Sequence, residues 1–148
     1  MGERRNAREL ALQALFFIDL NGENSMNLFG DFCNHFQEMI DERVNESQRN
    51  FFVHLVEGVL GCIDEIDESI RKSSTNWRIS RMPVTDRNII RIAVYELLKC
   101  PDIPPGVSIN EAVDLGKMYG TAGSSAFING VLDRIRETAT AIEPPKES

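Results

Sequence analysis

Apolar residues recur at spacings of three and four along nearly the whole chain, and this periodicity sets the picture before any other feature does. At 100° per residue, Ala7, Leu10, Ala11, Ala14, Leu15, Phe17 and Ile18 fall on one broad arc, which predicts a core-facing helix stopped by Asn21-Gly22. A second helix is predicted from about Met26 to Ile40, with Leu28, Phe32, Phe36, Met39 and Ile40 inward. The third and longest runs from about Ser47 to Lys72 on Phe52, Leu55, Val56, Val59, Leu60, Ile63, Ile66 and Ile70. Its outer face reads as solvated: Glu57, Asp64, Glu65, Asp67 and Glu68 occupy it, and Arg71 and Lys72 finish it with the sign a helix C-terminus favours.

Pro83, inside "SSTNWRISRMPVTD", interrupts any continuing helix and predicts a junction between subdomains. A fourth helix is predicted from Asp86 to Cys100, with Thr85 as N-cap and Ile89, Ile90, Ala93, Val94, Leu97 and Leu98 buried. "PDIPPGV" reads as a rigid connector, because its prolines fix φ and remove amide donors. Ser108 and Glu111 in "SINE" have the spacing of a capping box for a helix reaching about Tyr119. Gly120 ends that helix, "TAGS" turns with Ser124 as an N-cap, and a last helix follows to about Thr138. No segment alternates with period two for long enough to predict a strand. The expected fold is all-α: two small packed helical subdomains, about 3–74 and about 75–141, with a frayed tail at 142–148.

Composition narrows the class. With 148 residues, 42% of them hydrophobic and 26% charged, the chain is long enough for one ordinary core or two small ones. No apolar run approaches the roughly 18 residues of a membrane span. Nor is there a leader-like stretch with a small-residue cleavage site, so the expected compartment is the cytoplasm. Cys33, Cys62 and Cys100 are odd in number and far apart, which suggests reduced, buried thiols. Cys33, His35 and a distant His54 are too few for a metal site, so neither metal nor cofactor is expected. Enzyme signatures are missing too: the chain has no G-x-S-x-G, H-E-x-x-H or phosphate loop, and "GTAGSS" lacks the lysine such a loop needs.

Charge then changes the picture at one place. The formal net charge is −7, and all of it falls on residues 1–74, which hold 7 basic and 14 acidic side chains. Yet Arg4, Arg5 and Arg8 bunch at a helix N-terminus, where positive charge is disfavoured. On a helical wheel Leu12 and Phe16 lie beside Arg5 and Arg8, outside the main apolar arc. Guanidinium groups beside a ring have the composition of a single-strand RNA contact; the plain alternative is that Phe16 packs under a neighbouring helix. The acidic remainder repels a polyanion at long range and suits a basic protein partner.

Four stretches carry a family resemblance. "RRNARELALQALFFIDL", "RNIIRIAVYELL", "PDIPPGVSINEAVDLGKMYG" and "SSAFINGVLDRI", in this order and at this spacing, resemble the NusB family of bacterial transcription antitermination factors. The similarity covers Arg4 to Ile135 and is least diagnostic from Gly22 to Gln48. It implies an all-helical fold, no catalytic activity, recognition of the boxA element of ribosomal RNA transcripts, a heterodimer with the ribosomal protein NusE, and work within the transcription elongation complex. By position it implies RNA contacts at Arg4, Arg5, Arg8 and Phe16, and at Tyr119, Phe127 and Asn129, the last two with Gly130 in "FING". It implies a NusE-facing surface that includes Asp86 and Arg87.

Three positions depart from the family pattern. Relatives often carry an acidic residue in place of Gly123, a lysine in place of Ala126, and a tyrosine in place of Phe16. Two other readings stay open at this point. A NusB-like domain also precedes the catalytic domain of some ribosomal RNA methyltransferases, although these 148 residues are not expected to leave room for a methyl-donor site, so that reading would need a longer protein; the other is a protein-only helical scaffold.

Overall fold

The structure is a computed structural model that describes residues 2–22, 26–74 and 78–142. Among the described residues there are eight α-helices, one short 3-10 turn at Ile79–Arg81 and no strand. The helices are α1 (Gly2–Leu20), α2 (Met26–His35), α3 (Gln37–Arg43), α4 (Glu46–Gly61), α5 (Ile63–Ser73), α6 (Val84–Lys99), α7 (Pro105–Tyr119) and α8 (Ser124–Ile142). The chain divides into two compact units, 1–63 and 64–148.

In the first unit α1 packs on α4 and α2, and α2 on α3 and α4. Its core is built on Leu10, Ile18, Phe52 and Leu55, with Phe29 edge-on to Phe52 at 5.5 Å between ring centroids. α1 ends as predicted: the Asn21 side-chain amide donates to the Phe17 carbonyl, and Gly22 takes φ +86°, a left-handed conformation that suits glycine. The second predicted helix is two. Phe36, at φ −110° and ψ 24°, breaks it into α2 and α3, and Leu28, Phe36 and Met39 are only half-buried. The Asn6 amide donates to the Arg43 carbonyl and Arg43 pairs with Glu9 at 3.1 Å, holding the end of α3 to α1.

The third predicted helix is also two, broken at Cys62 (φ −117°, ψ 22°) just after Gly61, a weak helix former. α4 opens on a capping box that the sequence reading passed over: Asn45 accepts from the Gln48 amide, and Gln48 accepts from the Asn45 amide. α5 belongs to the second unit, so the boundary falls at residue 63 and not near 74. Polar ties hold α5 within that unit. Arg91 of α6 clasps Asp67 with two hydrogen bonds of 2.9 Å, Lys99 pairs with Glu65, and Arg134 donates to the Ser73 carbonyl. Asp67 is thus one half of a largely buried, bidentate ion pair and not part of a solvated face.

α6, α7 and α8 pack on one another around Ile89, Ile90, Leu115, Ile128 and Leu132. α6 starts at Val84 with Pro83 at the N-cap, which places Thr85 inside the first turn. α7 starts at Pro105, because proline at N1 forgoes an amide that has no helical partner there. Hence Ser108 and Glu111 lie inside α7, both buried, and form no capping box; the Ser108 hydroxyl donates to Glu96 at 2.7 Å. Gly116 lets α8 approach α7, since a Cβ there would stand 2.8 Å from Ile128 Cδ1. α8 reaches Ile142, four residues past the predicted end; beyond it the tail expected to fray lies outside the described residues.

Candidate nucleic-acid interface

In the first unit the arginine cluster is split by burial. Arg4 is exposed, Arg5 half-buried and Arg8 only 3% exposed. The guanidinium carbons of Arg4 and Arg8 lie 4.4 and 5.3 Å from the ring centroid of Phe51, on α4. Cation–π attraction therefore offsets part of the cost of placing positive charge at the start of α1. The sequence reading missed Phe51, although a signal existed: with Phe52 directed to the core, a neighbour turned by 100° points away from it.

Further along α1, Leu12 and Phe16 part company. Leu12 is buried, because α2 and α4 both cover α1 and widen its apolar arc. Phe16 remains 39% exposed, so it is only partly covered. Phe17 is half-buried, its ring 5.7 Å from that of Phe32. Of the candidate residues in the first unit, Arg4, part of Arg5 and Phe16 are thus outermost, with Arg8 and Phe51 less exposed beside Arg4.

In the second unit Tyr119 ends α7 with 43% of its surface exposed, Phe127 is half-buried on α8, and Asn129 is exposed with its amide 3.5 Å from Asp133. Asp86 is placed differently from an exposed partner-facing carboxylate. It is 4% exposed and accepts the Ser124 hydroxyl at 2.8 Å, while Ser124 Oγ accepts the Thr121 amide at 2.8 Å. Ser124 is therefore a fastener of the preceding turn more than a cap of α8. Gly120 completes the turn, for a Cβ there would collide with Ser124 Oγ and stand 2.8 Å from the Gly116 carbonyl. Arg87 is half-buried and donates to the Ile79 carbonyl.

This turn lines a cavity of about 300 Å³ together with Arg81, Pro83, Asp86, Gly123 and Phe127. Arg81 is exposed and was not singled out from sequence. Open space surrounds Gly123, so a side chain there would meet no steric obstacle, and Ala126 is exposed.

The thiols have no evident chemistry. Cys100 is buried, while Cys33 and Cys62 are half-buried, less than the sequence suggests. Burial pushes the Cys33 thiol up against the opposing pull of Arg49, so it stays protonated and weakly nucleophilic at neutral pH. Among the described residues no three His, Cys, Asp or Glu side chains are grouped to hold a metal, and no helix is long and apolar enough to cross a membrane.

Comparison with known proteins gives one consistent answer. The profile of the NusB family matches residues 5–137. The transcription antitermination protein NusB of Desulforapulum autotrophicum is 55% identical over 92% of this chain and 92% of its own. Among solved structures, NusB of T. maritima superposes with a TM-score of 0.79 at 32% identity, covering 90% of each chain. A crystal structure of the antitermination factors NusB and NusE in complex with dsRNA gives 0.78 at 31% identity, covering 93% of this chain and 98% of the other.

Proposed function

The chain belongs to the NusB family, and on that footing we propose that it is a transcription antitermination factor that recognises the boxA element of ribosomal RNA transcripts together with NusE. It acts in the cytoplasm, within the transcription elongation complex, and catalyses nothing. In the first unit RNA is met by Arg4, Arg5 and Phe16: guanidinium groups take phosphates and the ring takes a base. In the second unit Tyr119, Phe127 and Asn129 do the same work, the amide reading a base edge. Arg8 serves from behind, through Phe51, and NusE is received near Asp86 and Arg87 at the start of α6.

One observation carries this reading. Each unit leaves a large ring on its surface, Phe16 at 39% and Tyr119 at 43% exposure; Leu20 on α1 and Val107 and Met118 on α7 are exposed too, but the rings are the groups among these that can stack on a base. A ring with this much of its surface in water keeps a face on which a base can stack. The solved complex of a NusB with NusE and dsRNA supports NusE and RNA as the classes of partner.

Titration of labelled boxA RNA with the chain, with and without NusE, tests the reading. NusE should raise RNA affinity by the same factor by which RNA raises NusE affinity, as any coupling of two binding equilibria requires. Absence of boxA binding in both conditions overturns the proposal.

A further inference from the structure

Arg4 and Arg8 approach one ring, that of Phe51, from a helix that lies more than forty residues earlier in the sequence. The three differ in exposure: Arg4 exposed, Phe51 half-buried, Arg8 buried. Core packing does not require this arrangement, since Phe52 already fills the core at that level of α4. Electrostatics does: two like charges sit one turn apart at a helix start, and the negative face of a ring is the neutral group that draws them in.

Resting on the RNA reading above, we propose that Phe51 is the positioning residue of the RNA-binding tip. Its ring holds the Arg4 guanidinium by the face and leaves the N–H edge for a phosphate, while Arg8 buttresses the ring from the buried side. A guanidinium has five N–H donors in its plane and none on its face, so stacking and phosphate binding do not compete. A free arginine loses much rotamer freedom when it takes a phosphate; one already stacked loses less, so the same contact gives tighter binding.

The test is a double-mutant cycle on boxA affinity, read by anisotropy over a salt series, with the wild-type chain, Arg4→Ala, Phe51→Met and the double variant. Phe51→Met keeps apolar volume but loses the π face. It should weaken RNA binding about two- to five-fold, as loss of an exposed cation–π contact implies. The salt slope should not change, because every phosphate-binding charge remains. Arg4→Ala should lower that slope by about 0.7, the share of one single-strand phosphate contact. In the Arg4→Ala background Phe51→Met should have no further effect, and Phe51→Tyr should restore wild-type affinity; the tyrosine variant also serves should the methionine variant fold poorly.

Equal weakening by Phe51→Met in both backgrounds, or none in either, overturns the positioning role. If Arg4→Ala alone leaves affinity and slope unchanged while the wild type binds, Arg4 holds no phosphate and the proposal fails although the RNA reading stands. A wild-type chain that ignores boxA overturns both.

Discussion

The burial of single side chains separates the residues that meet a ligand from those that hold them. Arg4, Arg5 and Arg8 look equivalent as letters, and their sequence suggests one basic tip. Arg8 is nearly enclosed, however, and Arg8→Ala should appear in stability: a loss of about 1–2 kcal/mol from the desolvated contact with the Phe51 ring and the packing of its stem, read as a lowered urea midpoint at unchanged slope. Phe16→Ala should do the reverse, lowering RNA affinity by roughly 1–3 kcal/mol with little change in unfolding. A large stability loss with RNA affinity intact would show that the ring is core. Sequence named Phe16 correctly as an outlier from the apolar arc but misplaced Leu12, because the width of that arc depends on how many helices cover α1. Asp86 was legible as chemistry and not as placement: nothing near it in the chain announces Ser124, 38 residues on.

Periodicity identifies the helices, and their ends are decided by chemistry that periodicity does not see. The breaks at Phe36 and Cys62 interrupt no apolar pattern, so two helices read as one on each occasion. The break at Cys62 had a trace in Gly61; that at Phe36 had none, since neither proline nor glycine adjoins it. "SINE" shows the opposite failure. Its capping-box spacing is real, but Pro105 starts α7 earlier, and Ser108 and Glu111 turn inward. Ser108→Ala should therefore cost more than a lost cap in a frayed turn. It deprives the buried Glu96 of a donor, about 1–3 kcal/mol by denaturation, and a helix that merely shortens at its start without loss of stability would contradict this. The box actually formed is Asn45 with Gln48, and Asn45→Ala should lower stability by about 0.5–2 kcal/mol.

At the scale of the molecule, α5 is tied to α6 and α8 within the second unit. Asp67→Ala leaves the Arg91 guanidinium buried without its carboxylate, and breaking such a pair costs about 3–5 kcal/mol, measurable as a fall in the unfolding midpoint. Asp67 looked like one more charge on an acidic helix face, because its partner lies 24 residues further along the chain. The family resemblance, by contrast, was fully legible, since it rests on long motifs and not on placement. The central claim is that the exposed rings Phe16 and Tyr119 are kept at the surface for RNA. Its most direct test is the affinity of Phe16→Ala/Tyr119→Ala for boxA RNA with NusE present at saturation, measured beside the wild type on samples of matched helix content. The account predicts a loss of at least about tenfold, the effect of roughly one stacked base, with unfolding midpoints little changed; unchanged affinity in the folded double variant would contradict it.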